Sequence, residues 1–156
     1  MSTVNIWSVN LETKPGDVDF NTSAIMKYLH RAVNAPISSS VPDFILFPEL
    51  SLSGHVNDPS RLRALTQDLA AALKKLRSAS EELPKTVILI GYPHSENRGT
   101  EESKDSIFIR QSAILNGEFI HHHDKTRLSP GELKSFTPGR GTVQTQKTAV
   151  KSVNDT

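Results

Sequence analysis

The sequence predicts an α/β fold with a largely parallel sheet. Three observations carry that prediction. Short apolar runs alternate with amphipathic helical stripes from the start of the chain to Gly91, those runs are closed by Pro or Gly, and Asn116-Gly117 separates two further strand-like segments. An alternation of strand and helix favours parallel strands joined by right-handed crossovers.

Each element follows from its own pattern. Thr3 to Asn10 alternates, with Val4 and Ile6 on one face and Trp7 and Val9 on the other, which predicts a strand with both faces at least partly covered. After a turn at Lys14-Pro15-Gly16, the stripe Phe20, Ala24, Ile25, Tyr28, Leu29, Ala32 and Val33 predicts an amphipathic helix. Asp17 or Asp19 caps it, and it ends before Pro36, because proline disfavours helical geometry in the preceding residue. Ser38-Ser39-Ser40 reads as loop. Asp43 to Phe47, closed by Pro48, predicts a strand covered on both faces. A second helix is expected from Pro59 to about Ser80, with Leu62, Leu65, Leu69, Ala72, Leu73 and Leu76 as its apolar stripe. Thr86 to Gly91 predicts a third buried strand, stopped at Tyr92-Pro93, and the polar stretch His94 to Asp105 an exposed loop. Asn116 and Gly117 both accept the positive φ of a type I′ turn, so Ser106–Leu115 and Glu118–His123 are expected to form an antiparallel hairpin at the sheet edge. Beyond it come loop signals at Pro130-Gly131 and from Thr137 to Gly141. One domain is therefore expected over residues 1–141, with 142–156 a weakly structured tail.

Composition narrows the function. A chain of 156 residues suits one domain with a sizeable core. With 18 Lys and Arg against 17 Asp and Glu, the net charge of +1 does not suggest a nucleic-acid partner. No apolar run reaches the roughly 18 residues of a membrane span, and the N-terminus lacks the pattern of a signal peptide, so no membrane association and a cytoplasmic or organelle-matrix location are expected. The chain contains no cysteine, which rules out disulfides, Cys-ligated metals and a thiol nucleophile supplied by these residues.

Two segments are placed for chemistry. Glu49 follows directly on a predicted buried strand, and ligands of open α/β sheets bind beyond the carboxyl ends of strands. A half-buried carboxylate there can serve as a base, although taken alone it also reads as an ordinary surface residue. Asp124-Lys125-Thr126-Arg127, at the end of the hairpin, reads alone as a solvated charged turn. His121-His122-His123 invites a metal reading, but on a strand His122 faces away from the other two, and a polar strand end is the simpler account. Ser112 and Ser129 lack the strained elbow of a hydroxyl nucleophile. Lys74, Lys75 and Arg77 are expected on the solvated face of the second helix, Arg61 and Arg63 at its surface-exposed start, and Trp7 in packing.

Together these segments acquire a pattern. The order Phe44-Ile45-Leu46-Phe47-Pro48-Glu49-Leu50-Ser51-Leu52-Ser53-Gly54, Ile88-Leu89-Ile90-Gly91, Gln111 to Glu118, Asp124-Lys125-Thr126-Arg127-Leu128 and Phe136-Thr137-Pro138-Gly139 resembles the amino-terminal half of the nitrilase superfamily, the carbon-nitrogen hydrolases. The resemblance runs from about Thr3 to Gly141. It implies part of an α-β-β-α sandwich and a Glu-Lys-Cys triad, with Glu49 as general base, Lys125 as the cation beside the oxyanion, and Glu132 as the second glutamate found in many members. Glu132 equally reads as a loop carboxylate.

The implied reaction is hydrolysis of a small amide, nitrile or N-carbamoyl compound with release of ammonia. No metal and no organic cofactor is implied, and homo-oligomers are. The family's cysteine lies on a later strand, so the resemblance implies a truncated member, either of hydrolase lineage or an inactive pseudoenzyme that acts as a binding or oligomerisation partner. An unrelated metal-binding protein using the histidine run is the third expectation.

Overall fold

The computed structural model describes residues 3–36, 41–96 and 106–141. A sheet in the order β1-β2-β3-β4-β5 organises them. Its strands are β1 (Ile6–Ser8), β2 (Phe44–Leu46), β3 (Val87–Glu96), β4 (Ser106–Leu115) and β5 (Glu118–Asp124), joined by helices α1 (Val18–Val33), α2 (Pro59–Ala64) and α3 (Thr66–Ser80). The pairs β1–β2 and β2–β3 are parallel, and β3–β4 and β4–β5 antiparallel. This is the predicted α/β class. The expected loop at Ser38–Ser40, the expected tail at 142–156 and most of the loop expected after His94 lie outside the described residues.

The core sits on one face of the sheet. Ile45, Ile88, Ile90 and Ile114 alternate with partly buried neighbours, are fully enclosed, and pack against Ile25 and Leu29 of α1 and Leu69 and Leu76 of α3. The expectation that β1 and β2 are covered on both faces is corrected here. Phe44 and Leu46 are only partly buried, and Val4 and Ile6 are 60% and 56% exposed, because the described helices lie on the other face. A second apolar cluster, Leu50, Val56, Leu62, Ile107, Ile109 and Phe136, underpins the loops beyond the strand ends.

Several elements depart from the expected boundaries for physical reasons. Asp17 caps α1 by accepting from Phe20 N–H at 3.0 Å. The predicted helix from Pro59 breaks at Leu65, where the Thr66 hydroxyl bonds back to the Arg63 carbonyl at 2.8 Å. That break lets Leu62 enter the second cluster while Leu69 and Leu76 stay in the first. β3 does not stop at Tyr92-Pro93 but runs to Glu96. β2 pairs only with Val87–Leu89, so at Pro93 the strand has β4 alone as neighbour and tolerates the missing N–H.

The hairpin turn forms as predicted, with φ of 47° at Asn116 and 81° at Gly117. Arg77 is not simply solvated: its Nε donates to the Gly117 carbonyl at 2.6 Å, and its guanidinium lies 5.4 Å from the Phe119 ring centroid. Ser80 Oγ accepts from Gly117 N–H at 2.8 Å, so the last turns of α3 clamp the hairpin. Among the described residues no helix is long and apolar enough to cross a membrane.

Candidate active site

The segment that carries Glu49 is shaped by backbone contact. Between Pro48 and Gly54 the chain turns so tightly that Leu50 takes φ 53°, and Leu50, Ser51, Leu52 and Ser53 are all buried. Gly91 of β3 lies directly beneath. A methyl group at position 91 would stand 2.7 Å from Leu50 N, 2.8 Å from the Pro48 carbonyl oxygen and 3.0 Å from Glu49 Cα. Ser51 Oγ donates to the Gly91 carbonyl at 3.2 Å, and Leu52 N–H donates to the same oxygen at 3.1 Å. From the other side, the enclosed Asn21 amide donates to the carbonyls of Leu52 and Lys14, at 3.1 and 2.9 Å, and accepts from Lys14 N–H at 2.8 Å.

The lysine end is held mainly by charge. Asp124 receives both arms of Arg110, at 2.7 and 2.9 Å, in a fork that fixes the last residue of β5. Burial alone would raise the Asp124 pKa, but the Arg110 fork outweighs it and holds the carboxyl below its usual value. Lys125 N–H then donates to the Ile109 carbonyl at 2.8 Å. Glu132 begins a short 3-10 turn (Glu132–Lys134). Its Oε2 accepts from Ser129 N–H at 2.6 Å while its own N–H donates to Ser129 Oγ at 3.3 Å, the reciprocal pattern of a capping box.

The two ends meet at the ammonium. Lys125 Nζ donates to Glu49 Oε1 at 3.0 Å and to Glu132 Oε1 at 2.7 Å. Glu132 is almost enclosed, its side chain 8% exposed, whereas Glu49 is 45% exposed and faces the cavity. The ammonium, followed by the Ser129 N–H, holds the Glu132 carboxyl down to a pKa of about 2. Glu132 first and Glu49 second raise the Lys125 pKa, so the cation stays charged. All three residues singled out in the sequence are therefore within one hydrogen-bonded cluster. Beside them opens a cavity of about 250 Å³ that Gln111, His123 and Arg127 also line.

The other sequence candidates fall elsewhere. Ser112 alternates with Gln111 along β4 and so lies on the opposite face, fully buried and hydrogen-bonded to Tyr92 at 2.8 Å and to His122 Nδ1 at 2.7 Å. His121 and His123 share a face opposite His122, and among the described residues no group of three or more His, Asp or Glu is placed to hold a metal ion.

Gly91, Asn21 and the Arg110–Asp124 fork are the positioning groups that sequence reasoning missed. A glycine within a buried strand signals close backbone approach, and Ser129-Pro130-Gly131-Glu132 carries the spacing of a capping box. Asn21 gives no such signal.

Comparison with known proteins bears on the family and on the fold. The profile of the carbon-nitrogen hydrolase family matches residues 6–154. No curated protein sequence matches the chain. Among solved structures, a mutant of the amidase of the nitrilase superfamily from Nesterenkonia AN1 superposes with a TM-score of 0.66 at 22% identity, over 88% of this chain and 49% of that one. An N-terminal amidase gives 0.70 at 20% identity, over 87% and 31% of the two chains. A glutamine-dependent NAD+ synthetase from Acinetobacter baumannii gives 0.65 at 20% identity, over 88% and 24%. Another structure of the Nesterenkonia enzyme shows covalent addition of the acetamide moiety of fluoroacetamide at its active site cysteine.

The chain thus spans about half the length of the Nesterenkonia amidase and shares the fold of that half. With the family profile covering nearly all of its length, the chain belongs to the carbon-nitrogen hydrolase family.

Proposed function

We propose that Glu49, Lys125 and Glu132 form the acid-base and oxyanion part of a site that hydrolyses the carbon-nitrogen bond of small amides, nitriles or N-carbamoyl compounds. The observation that carries this reading is the Lys125 ammonium held between Glu132 at 2.7 Å and Glu49 at 3.0 Å at the rim of a small cavity. Glu49, exposed and facing that cavity, takes the proton of the attacking nucleophile and returns it to the departing nitrogen, so that ammonia leaves an amide as a neutral molecule. Lys125 stands beside the oxygen that becomes negative as the carbon turns tetrahedral, where a fixed cation is worth several kcal/mol. Glu132, nearly enclosed, keeps that cation charged and in place. Water then cleaves the acyl intermediate, with Glu49 again as base. Only proton transfers and acyl transfer are involved, and neither calls for a metal or an organic cofactor.

None of the 156 residues is a cysteine, so a thiol nucleophile has to come from outside them. That same fact favours a second reading, in which the chain as it stands is catalytically silent and acts as a binding or assembly partner of cysteine-bearing relatives.

Ammonia release from a panel of amides, nitriles and N-carbamoyl compounds, measured beside Glu49→Gln and Lys125→Ala, separates the readings. Turnover that disappears in both variants supports the hydrolase site. Turnover that survives both removes the assignment of Glu49 and Lys125. A folded chain with no turnover at all supports the partner reading.

A further inference from the structure

We propose that Arg127 is a specificity-determining anchor for a carboxylate on the substrate, so that the site takes small ω-amides of carboxylic acids in preference to neutral amides. The argument begins with a count of charge around the cavity. Lys125 is engaged by both Glu49 and Glu132, and that trio carries one net negative charge. Arg110 is engaged by both oxygens of Asp124. Arg127 lines the same cavity, is exposed, and has no hydrogen bond or ion pair to any described residue. Its guanidinium is thus the cation with donors to spare, where an anionic substrate would otherwise meet only the surplus negative charge of the trio.

The chemistry of the partner follows. A guanidinium presents parallel N–H groups that match the two oxygens of a carboxylate, a fit that an ammonium lacks. Gln111 and His123, paired across β4 and β5, line the cavity as well and add polar groups that can reach the same end of a ligand. A cavity of about 250 Å³ has room for a short acyl chain. The substrate that answers these features has its carbonyl at Lys125 and its carboxylate at Arg127, two residues further along the same segment.

This inference rests on the hydrolase reading for the position of the amide, but its test reads binding and not turnover. Isothermal titration of the intact chain with succinamate and with butyramide, a neutral amide of similar size, measures the carboxylate preference. Succinamate is expected to bind at least tenfold more tightly, Arg127→Gln to abolish the difference, and Arg127→Lys to restore part of it. Equal binding of the two ligands, or unchanged succinamate binding by Arg127→Gln, overturns the proposal. Ammonia release that is indifferent to Glu49→Gln and Lys125→Ala would sink the hydrolase reading alone, since the Arg127-dependent preference is measured without it.

Discussion

The two halves of the candidate site are held by different physics. The Glu49 side rests on steric fit: a positive φ at Leu50, a glycine at 91 with backbone pressed against it, and a buried amide that stitches loops together. The Lys125 side rests on opposite charges: an Arg110–Asp124 fork at the strand end and a cation between two carboxylates. A steric mount is indifferent to pH and intolerant of added volume. An electrostatic mount tolerates small changes of shape and follows the proton concentration.

The largest effect is expected from Gly91→Ala, which forces a methyl against three backbone atoms within 3.0 Å. Overpacking of this kind costs about 3 kcal/mol and here also displaces Glu49. Denaturant unfolding should show a loss of that size, equal at pH 5 and pH 8, and a loss that varies with pH would break the contrast between the two sides.

Asn21→Ala comes next. It strands the buried Leu52 carbonyl and the part-buried Lys14 N–H, and leaves the Lys14 carbonyl with the Asp17 N–H alone, at an expected cost of about 2 kcal/mol in the same experiment.

Glu132→Gln tests the other side, with an expected loss of about 1.5 kcal/mol at neutral pH. Its carboxyl falls from an ordinary 4.5 to about 2 in the folded protein, so its contribution is fully present above pH 4.5 and is lost as the pH drops toward 2. The wild type and the variant should therefore converge in stability across that acid window. At the alkaline end the sign reverses: the Lys125 pKa is raised above 10.5, so its contribution persists below that value and disappears as the pH climbs through the higher folded one. Melting curves that stay parallel from pH 6 to pH 2 would contradict the electrostatic account.

The smallest effect is expected from Arg77→Ala at the hairpin clamp, far from either mount. Its salt bridge to Glu118 is exposed and worth little, but its bond to Gly117 and its stacking on Phe119 together predict about 1 kcal/mol with no change in ligand binding.

What the sequence makes legible follows the same division. Apolar runs and turn chemistry are local, so β2, the start of β3 and the Asn116-Gly117 turn can be read directly. Glu49, Lys125 and Glu132 can be singled out by order and motif, and the fold brings both carboxylates within 3.0 Å of the Lys125 ammonium. The parts that escape depend on who neighbours whom. Pro93 looks like a strand terminator until β2 is seen to end at Leu46. Asn21 looks like a surface residue of α1 until Leu52 arrives from 31 positions away. Arg77 looks solvated until the hairpin folds back onto it. One-sided covering of the sheet is equally invisible, because an apolar run looks the same whether one face is covered or two.

The bond between Lys125 and Glu49 joins residues 76 positions apart, the last strand to the second. It depends on the whole path from β2 to β5, since β3 and β4 must stand between them in register before β5 can deliver the lysine. Assembly of the cavity is therefore a late folding event that waits on loop closure over a long separation. A fluorescent ligand of the cavity added during refolding should lag behind the recovery of helical signal. In this molecule the cavity doubles as a clock for the pairing of strands β2 through β5.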